Sequence, residues 1–488
     1  MATINSAFNI ISSALDADQS ALNIVANNVA NANTTGYTQQ VPNWQENQPA
    51  EIGGVSYGTG VSETGPVSMR DRVLEQRLAQ QQQAASASGT RLTALNSIQA
   101  LFLPDSGTSS GAAGDIGSDI TSFFDSFSSL EASPTDNSLR QQVLSTASRL
   151  AGDIANAAAS LNVQRSALDQ EAAGVVSEVN SLTAAIAQLN RQIQSTSPDA
   201  DAGILEDQRQ QNLSKLSQMI GINQIATENN GLSITTTMGD LLVSEGSSFS
   251  ITTGQVGGDT HFFIGTKDVT SQLAAGGGEL GGYLTARDQD IPGVLSALDQ
   301  LAYSVSTQVN AQNNAGTSLN GVEGTGTNQD GIAGTGTAPL YIFNQLAMSP
   351  PASMAGCAAN MSVVMTDPSQ IAAAGFGSGS GDNSNASAMA ALANGLIVDG
   401  ETPSDFYSSF VTALGSTVSQ VQIENTAQNA SVTQLQTQRD ALSSVNLNDQ
   451  AASMQQLERS YQAASQVFAI LNTIMASALN MGVETAVT

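Results

Sequence analysis

The chain has 488 residues, with 14 Lys plus Arg against 42 Asp plus Glu and a net charge of −28. Only 11% of residues are charged, so the surface must be built largely from Ser, Thr, Asn, Gln and Ala. The length suggests roughly two to four domains. Without a basic footprint, nucleic acid is not expected as a partner, nor is attraction to an anionic membrane surface. A single cysteine, Cys357, excludes an intrachain disulfide, and a single histidine, His261, excludes zinc sites that need two histidines. Neither lysine, Lys215 nor Lys267, stands in a P-loop context. No cofactor or metal is expected. No apolar run approaches the roughly 20 residues of a membrane span, so no membrane insertion is expected. No Lys or Arg precedes Arg70, so a signal peptide with a positive start is not expected either.

In chain order, the first pattern is a heptad seam. Ile4, Phe8, Ile11, Leu15, Asp18, Leu22, Val25 and Val29 step by alternating four and three, with Asp18 as the polar interruption. A second stripe lies beside it: Ala7, Ile10, Ala14, Ala17, Ala21 and Ile24. Helical periodicity returns at 70–102. The longest seam covers 133–195, with Ser133-Pro134 read as N-cap and first helical residue. It carries Leu139, Val143, Ala147, Leu150, Ile154 and Leu161, then Leu168 through Ile193 in unbroken four-three rhythm. Ser197-Pro198-Asp199 is the expected stop. About 60 residues at 1.5 Å each predict a helix on the order of 90 Å. A further helix is predicted at 203–219, with Glu206-Asp207 on its solvated face. After the turn-like Asn229-Asn230-Gly231, the stretch 232–272 alternates and predicts short strands. Helix is predicted again over 291–314 and 403–445, separated by a Gly-rich stretch, 315–385, of turns and short strands. The last seam is Met454, Leu457, Tyr461, Ala464, Phe468, Leu471, Met475 and Ala478, flanked by a second stripe of Val467, Ile470, Ile474 and Met481.

These patterns predict a mainly α fold with a β-rich insertion: paired N- and C-terminal coiled-coil helices, a long helical-bundle rod domain, and a smaller β domain. The expected boundaries are 1–45 with 446–488 for the terminal helices, 46–221 with 283–316 and 386–445 for the rod, and 222–282 with 317–385 for the β-rich part. An apolar arc as wide as that of the terminal helices exceeds what one partner helix covers, so self-assembly is expected. Their ordering is expected to depend on partners that cover both stripes.

Candidate chemistry is thin. Gly107-Thr108-Ser109-Ser110-Gly111 matches G-x-S-x-G, but Pro104-Asp105 precedes it where a nucleophile elbow needs a strand. Asn328-Gln329-Asp330-Gly331 reads as a turn, since spaced carboxylates for a calcium loop are missing. Gly375-Phe376-Gly377-Ser378-Gly379 lacks dinucleotide-binding spacing. His261 reads as a strand residue and Cys357 as a small filler. Catalytic residues are not expected, and the protein is not expected to be an enzyme.

Residues 21–39, ALNIVANNVANANTTGYTQ, resemble the N-terminal signature of the bacterial flagellar axial protein family, with Asn23, Asn27, Asn28, Asn31, Asn33, Gly36 and Tyr37 as its polar and turn residues. Tyr57-Gly58-Thr59-Gly60-Val61 is similar to the family's segment leaving the terminal domain. Further matches point to the hook-associated junction members. These are Phe123-Phe124-Asp125, Ser133-Pro134, Arg140-Gln141, Leu205 to Arg209, Gly278 to Leu284, Arg287-Asp288, Leu298 to Ala302, Asn310 to Gly321, Gly381 to Ala386 and Leu457 to Ala464. Two departures stand out: Asn313 occupies a position where the family often has His, and Ser444 to Gln450 replaces a more acidic segment.

The resemblance implies a structural protein of the flagellum, exported through the flagellar type III channel and polymerising as a ring at the distal end of the hook. Its implied partners are other copies of itself, the hook protein below, hook-associated protein 3 above, and an export chaperone on the C-terminal helix before export. The implied location is the extracellular hook–filament junction, reached from the cytoplasm. A hook or distal-rod axial protein is the nearest alternative, and a flagellum-displayed binding module a more distant one. The residues expected to form the assembly interface are Ile4, Phe8, Ile11, Leu15, Leu22, Val25 and Val29 with Leu457, Tyr461, Phe468, Leu471 and Met475.

Overall fold

The computed structural model describes residues 2–34, 36–52, 54–102, 115–196, 202–328, 330–347 and 353–484, and the side chains of these except 2–4, 52 and 479–484. The Gly107 to Gly111 match, the Ser197 to Asp199 stop, Gln329 and the side chains of Ile4 and Met481 lie outside what is described.

Helix α1 spans Ala2–Asn31, and four short strands follow: β1 Gln40–Glu46, β2 Ala50–Ile52, β3 Val55–Tyr57 and β4 Val61–Ser68. Then come α2 Arg72–Ala100, α3 Ile116–Ala132, α4 Asn137–Thr196 and α5 Ile204–Met219. Strands β5 Ile222–Ala226, β6 Leu232–Thr236, β7 Leu241–Ser244, β8 Ser247–Ser248, β9 Ile251–Val256, β10 Asp259–Ile264 and β11 Lys267–Asp268 form the β-rich stretch. Helices α6 Thr270–Gly276, α7 Gly278–Thr285 and α8 Ile291–Asn313 precede β12 Gly316–Thr317, α9 Cys357–Asn360 and β13 Ala374–Gly375. The chain closes with α10 Ser384–Ala391, α11 Pro403–Ser443 and α12 Leu447–Glu484. The fold is mainly helical with small antiparallel sheets, as the patterns predict.

Two compact units are formed. The first comprises Met1–Ser86, Val175–Glu279 and Ala427–Thr488. Within it β1 pairs with β4 and β2 with β3, two nested antiparallel hairpins. Helical periodicity gives no sign of the strands within 40–68. The sheet order β5-β6-β7-β8 and the three strands β11-β10-β9 also belong here. The β5–β6 hairpin turns at Asn229 and Asn230, both at positive φ (54° and 56°), where Asn is tolerated better than most residues. Two asparagines of α4 serve as clamps on this β material. Asn180 exchanges two 2.8 Å hydrogen bonds with the backbone of Ile251, and Asn190 donates to the Leu232 and Glu245 carbonyls. Ile186 and Ile193 of α4, Ile234, Leu242 and Val243 are fully buried.

The second unit comprises Ala87–Gly174 and Leu280–Thr426. Its core gathers Val143, Leu150, Ile154 and Leu161 of α4 with Phe123 and Phe127 of α3 and Leu298 and Val305 of α8. The described part of 315–385 runs mostly as turns, and three asparagines add side-chain hydrogen bonds to its backbone. Asn310 donates to the Phe343 carbonyl and accepts from the Ile342 and Phe343 amides at 2.9–3.0 Å. Asn313 donates to Leu340 and accepts from Ala372. Asn314 accepts from Thr325 and Leu340. Asn313, at the position where the family often has His, is fully buried and satisfied on both sides. Asp299 accepts from the Gly356 and Ala358 amides and so caps α9.

Two expectations are corrected here. Ser133 is the C-cap of α3, and α4 starts at Asn137, with Asp136 accepting from the Ser138 amide. Glu206 and Asp207 are not solvated: they are 3% and 5% exposed.

Candidate assembly interface

The terminal helices pack against each other within one chain. Phe8 meets Phe468 with ring centroids 4.6 Å apart, and Asn28 meets Gln450, so α1 and α12 run antiparallel. The seam residues divide by depth. Val25 is buried; Phe8, Ile11, Leu15 and Leu22 of α1 and Leu457, Phe468, Leu471 and Met475 of α12 are half-buried. Tyr461 and Val29 are exposed. The second stripe of α1 is covered at its C-terminal half, where Ala17, Ala21 and Ile24 are buried and the helix packs on β1 and β4. The second stripe of α12 is not: Val467, Ile470 and Ile474 are 42%, 59% and 47% exposed. One stripe thus finds its partner inside the chain, and the other is left open.

Glycine is required where β4 approaches α1. Gly60 sits at φ +96°, and a Cβ there would collide with the Ser13 hydroxyl and press on the Ile10 backbone. This gives the Tyr57-Gly58-Thr59-Gly60-Val61 segment a physical basis.

The signature asparagines end α1 and tie it down. Asn31 donates to the Asn27 carbonyl and side chain, and Thr34 donates to Asn31. Asn28, 1% exposed, uses its whole side chain. Its amide donates to the Gln40 carbonyl (2.8 Å) and to Gln450 Oε1 (3.1 Å), and its oxygen accepts from the Tyr37 hydroxyl (2.8 Å) and the Gln40 amide (3.0 Å). Gly36 takes φ +78°, which turns the chain so that Tyr37 reaches back. Asn23 and Asn33 face solvent, and nothing in the structure explains them. Gln450, one of the residues departing from the family's acidic segment, is the partner on α12, and Asn446 caps that helix by accepting from the Asn448 amide.

Below this junction lies a buried charge cluster. Arg70 pairs with both Glu206 (3.1 Å) and Asp207. Asp207 also accepts from the Thr38 amide. Burial raises the Asp207 carboxyl, opposed by the Arg70 guanidinium and the Thr38 hydrogen bonds. Burial also lifts the Tyr37 hydroxyl, with the Asp207 charge adding to it. Arg209, lowered by burial, donates to Asn190 and to the Asn230 carbonyl. The Leu205 to Arg209 match is therefore a structural cluster, with its cation drawn from Arg70 far away in sequence.

The remaining candidates take structural places. His261 lies on β10, 2.6 Å from Asp268 on β11. Cys357 is buried at the start of α9, and burial together with Asp299 raises its thiol. Among the described residues no group of three or more His, Cys, Asp or Glu is placed to hold a metal, and no helix is long and apolar enough to cross a membrane. In the second unit Asp119 of α3 is pushed up to about 7, first by burial, then by a hydrogen bond and charge from Asp153, with Arg149 opposing.

Two family models match the chain: the flagellar hook-associated protein FlgK helical domain over residues 105–328, and the flagella basal body rod protein over residues 8–38. The chain is therefore similar to the FlgK hook-associated proteins of the flagellum. Flagellar hook-associated protein 1 of Salmonella typhimurium is 27% identical over 324 residues, 64% of this chain and 57% of that protein. The Bacillus subtilis protein of the same name is 27% identical over 344 residues, 62% of this chain and 66% of that protein. The chain's match therefore spans a little over half the length of the Salmonella relative. The flagellar hook junction protein FlgK from Burkholderia pseudomallei shares the fold, with a TM-score of 0.63 at 19% identity over 76% of this chain and 100% of that one. The rod-protein match falls on α1 and the signature turn, while the helical-domain match takes in α3, α4, α5 and α8.

Proposed function

We propose that this chain is a structural subunit of the bacterial flagellum that is exported by the flagellar type III system and polymerises as a ring at the distal end of the hook, forming the junction to the filament. The hook protein lies below it and hook-associated protein 3 above. Its role is assembly, not catalysis. The observation that carries this reading is the α1–α12 pair, whose Val467, Ile470 and Ile474 stripe stays open in the single chain. Three large apolar side chains at helical spacing make a surface suited to a neighbouring copy, or before export to a chaperone. Phe8, Ile11, Leu15, Leu22 and Val25 with Leu457, Phe468, Leu471 and Met475 hold the pair together, and Val29 and Tyr461, exposed in the single chain, add apolar surface elsewhere along it. Burial in the ring then offsets the remaining ordering cost of these helices.

The helical-domain match over 105–328 favours this reading over a hook or distal-rod component, which the shared terminal match alone would allow. Deletion of the gene followed by electron microscopy tests it. Hooks without filaments, with flagellin lost to the medium, are the expected result. Cells without hooks would point to the hook or rod, and normal filaments would refute the reading.

A further inference from the structure

Beside the α1–α12 seam the first unit holds a cleft of about 400 Å³, and Asp18 lines it. Asp18 is the seam's polar interruption and only 8% exposed. Among the described residues it has neither a hydrogen-bond nor an ion-pair partner, and it borders the cleft, where a cation could meet it. Trp44, Leu457, Gln456 and Ser460 line the same cleft. A carboxylate, an aromatic face and flanking amide and hydroxyl groups form the set that a guanidinium engages by charge, stacking and hydrogen bonds together.

The terminal helices contain one basic residue. None occurs in α1, and α12 carries only Arg459. Arg459 is exposed and, among the described residues, unpaired. Phe8 opposite Phe468 and Asn28 opposite Gln450 place Asp18 level with residues 458–460 of α12. Copies arranged side by side at one height in a ring therefore present Arg459 at the height of a neighbour's Asp18.

We propose that the Asp18 cleft receives the Arg459 guanidinium of the adjacent copy, an ion pair that fixes the lateral register of the ring. This rests on the reading of the chain as a self-assembling junction subunit and names the contact by which it assembles. A single polar partner in an apolar seam sets register because every misaligned packing leaves its charge buried and alone. The open Val467–Ile474 stripe supplies area without register, and the Asp18–Arg459 pair supplies the register.

The test uses full-length chains in a strain deleted for the gene, with filaments per cell counted by electron microscopy. Wild-type gene restores filaments; if it does not, the functional reading falls and the pair with it. Asp18→Arg and Arg459→Asp each lower filament number roughly tenfold, since each brings like charges together at every interface. Co-expression of the two single variants restores filaments well above either variant alone, because opposite charges meet wherever unlike copies alternate. That rescue also shows that both variants fold and are exported. Single variants with wild-type filament numbers would overturn the proposal. So would failure of co-expression where the double variant Asp18→Arg/Arg459→Asp succeeds, since that result places the pair inside one subunit.

Discussion

Asn28 is the point at which the terminal helices, the signature turn and the first hairpin are joined, and its replacement has a calculable effect. Asn28→Ala removes the acceptor of the Tyr37 hydroxyl and the Gln40 amide, and the donor to the Gln40 carbonyl and Gln450 Oε1. A buried polar group left unpaired costs about 1–3 kcal/mol, and partial water access at Tyr37 trims the sum. The expected loss is about 3–5 kcal/mol, at the high end for a single substitution. Asn28→Asp keeps the accepting half and turns a carboxylate oxygen toward two carbonyl-type oxygens. It is expected to lose about 2–3 kcal/mol at neutral pH and less as the pH falls toward the carboxylate range, where a protonated carboxyl donates again. Trp44, the sole tryptophan, lies on β1 close to Gln40, so its emission during urea unfolding follows this unit. A loss below about 1 kcal/mol for Asn28→Ala, less than one unpaired group predicts, would refute the role of Asn28 as a joint.

Three further outcomes follow from the geometry. Ile470, 59% exposed, has more than half of its burial still to gain on assembly. Ile470→Asp forfeits part of the 1.5–3 kcal/mol that a buried Ile provides and adds carboxylate desolvation, so assembly weakens by at least about 3 kcal/mol, roughly a hundredfold. Sedimentation of the purified variant should show assembly lost while its urea unfolding as a monomer stays unchanged, whereas Leu471→Asp, at a half-buried position, loosens the monomer itself. Gly60→Ala puts a Cβ onto Ser13 at a positive φ and should lower the Trp44-monitored unfolding free energy by about 1–3 kcal/mol; an unchanged value would count against the close approach of β4 to α1. Asp119, raised from the ordinary 3.8 to about 7, keeps a proton in the folded state that the unfolded chain has released. Stability of the second unit therefore falls as pH rises through that window, and Asp119→Asn should flatten the pH profile measured by calorimetry; an unaltered slope would assign it to other groups.

Much of the helical scheme was legible because apolar spacing repeats over long stretches. The 133–195 seam becomes α4, and the 291–314 and 403–445 patterns become α8 and α11 with ends shifted by a few residues. The start of α4 is not legible because Ser133-Pro134 looks like a capping pair, while the Asp136 carboxylate, three residues later, does the capping. Helix α3 was missed although Ile116, Ile120, Phe123, Phe127 and Leu130 already keep a helical rhythm and are all buried. The hairpins at 40–68 leave little trace: their exposed strands lack a buried alternating face, and Pro42 and several glycines interrupt them. Burial of Glu206 and Asp207 could not be read locally, because their cation, Arg70, arrives from before α2. Asn28 was legible as part of a signature, but its four partners, one of them on α12, appear only once the termini meet. The open stripe on α12 was legible as excess apolar arc, and the uncovered Val467, Ile470 and Ile474 are that excess.

Gold labelling of an epitope-tagged chain on intact isolated flagella tests the central claim most directly. The account predicts a single narrow band of label where the hook meets the filament. Label along the whole hook, or confined to the basal rod, would contradict it.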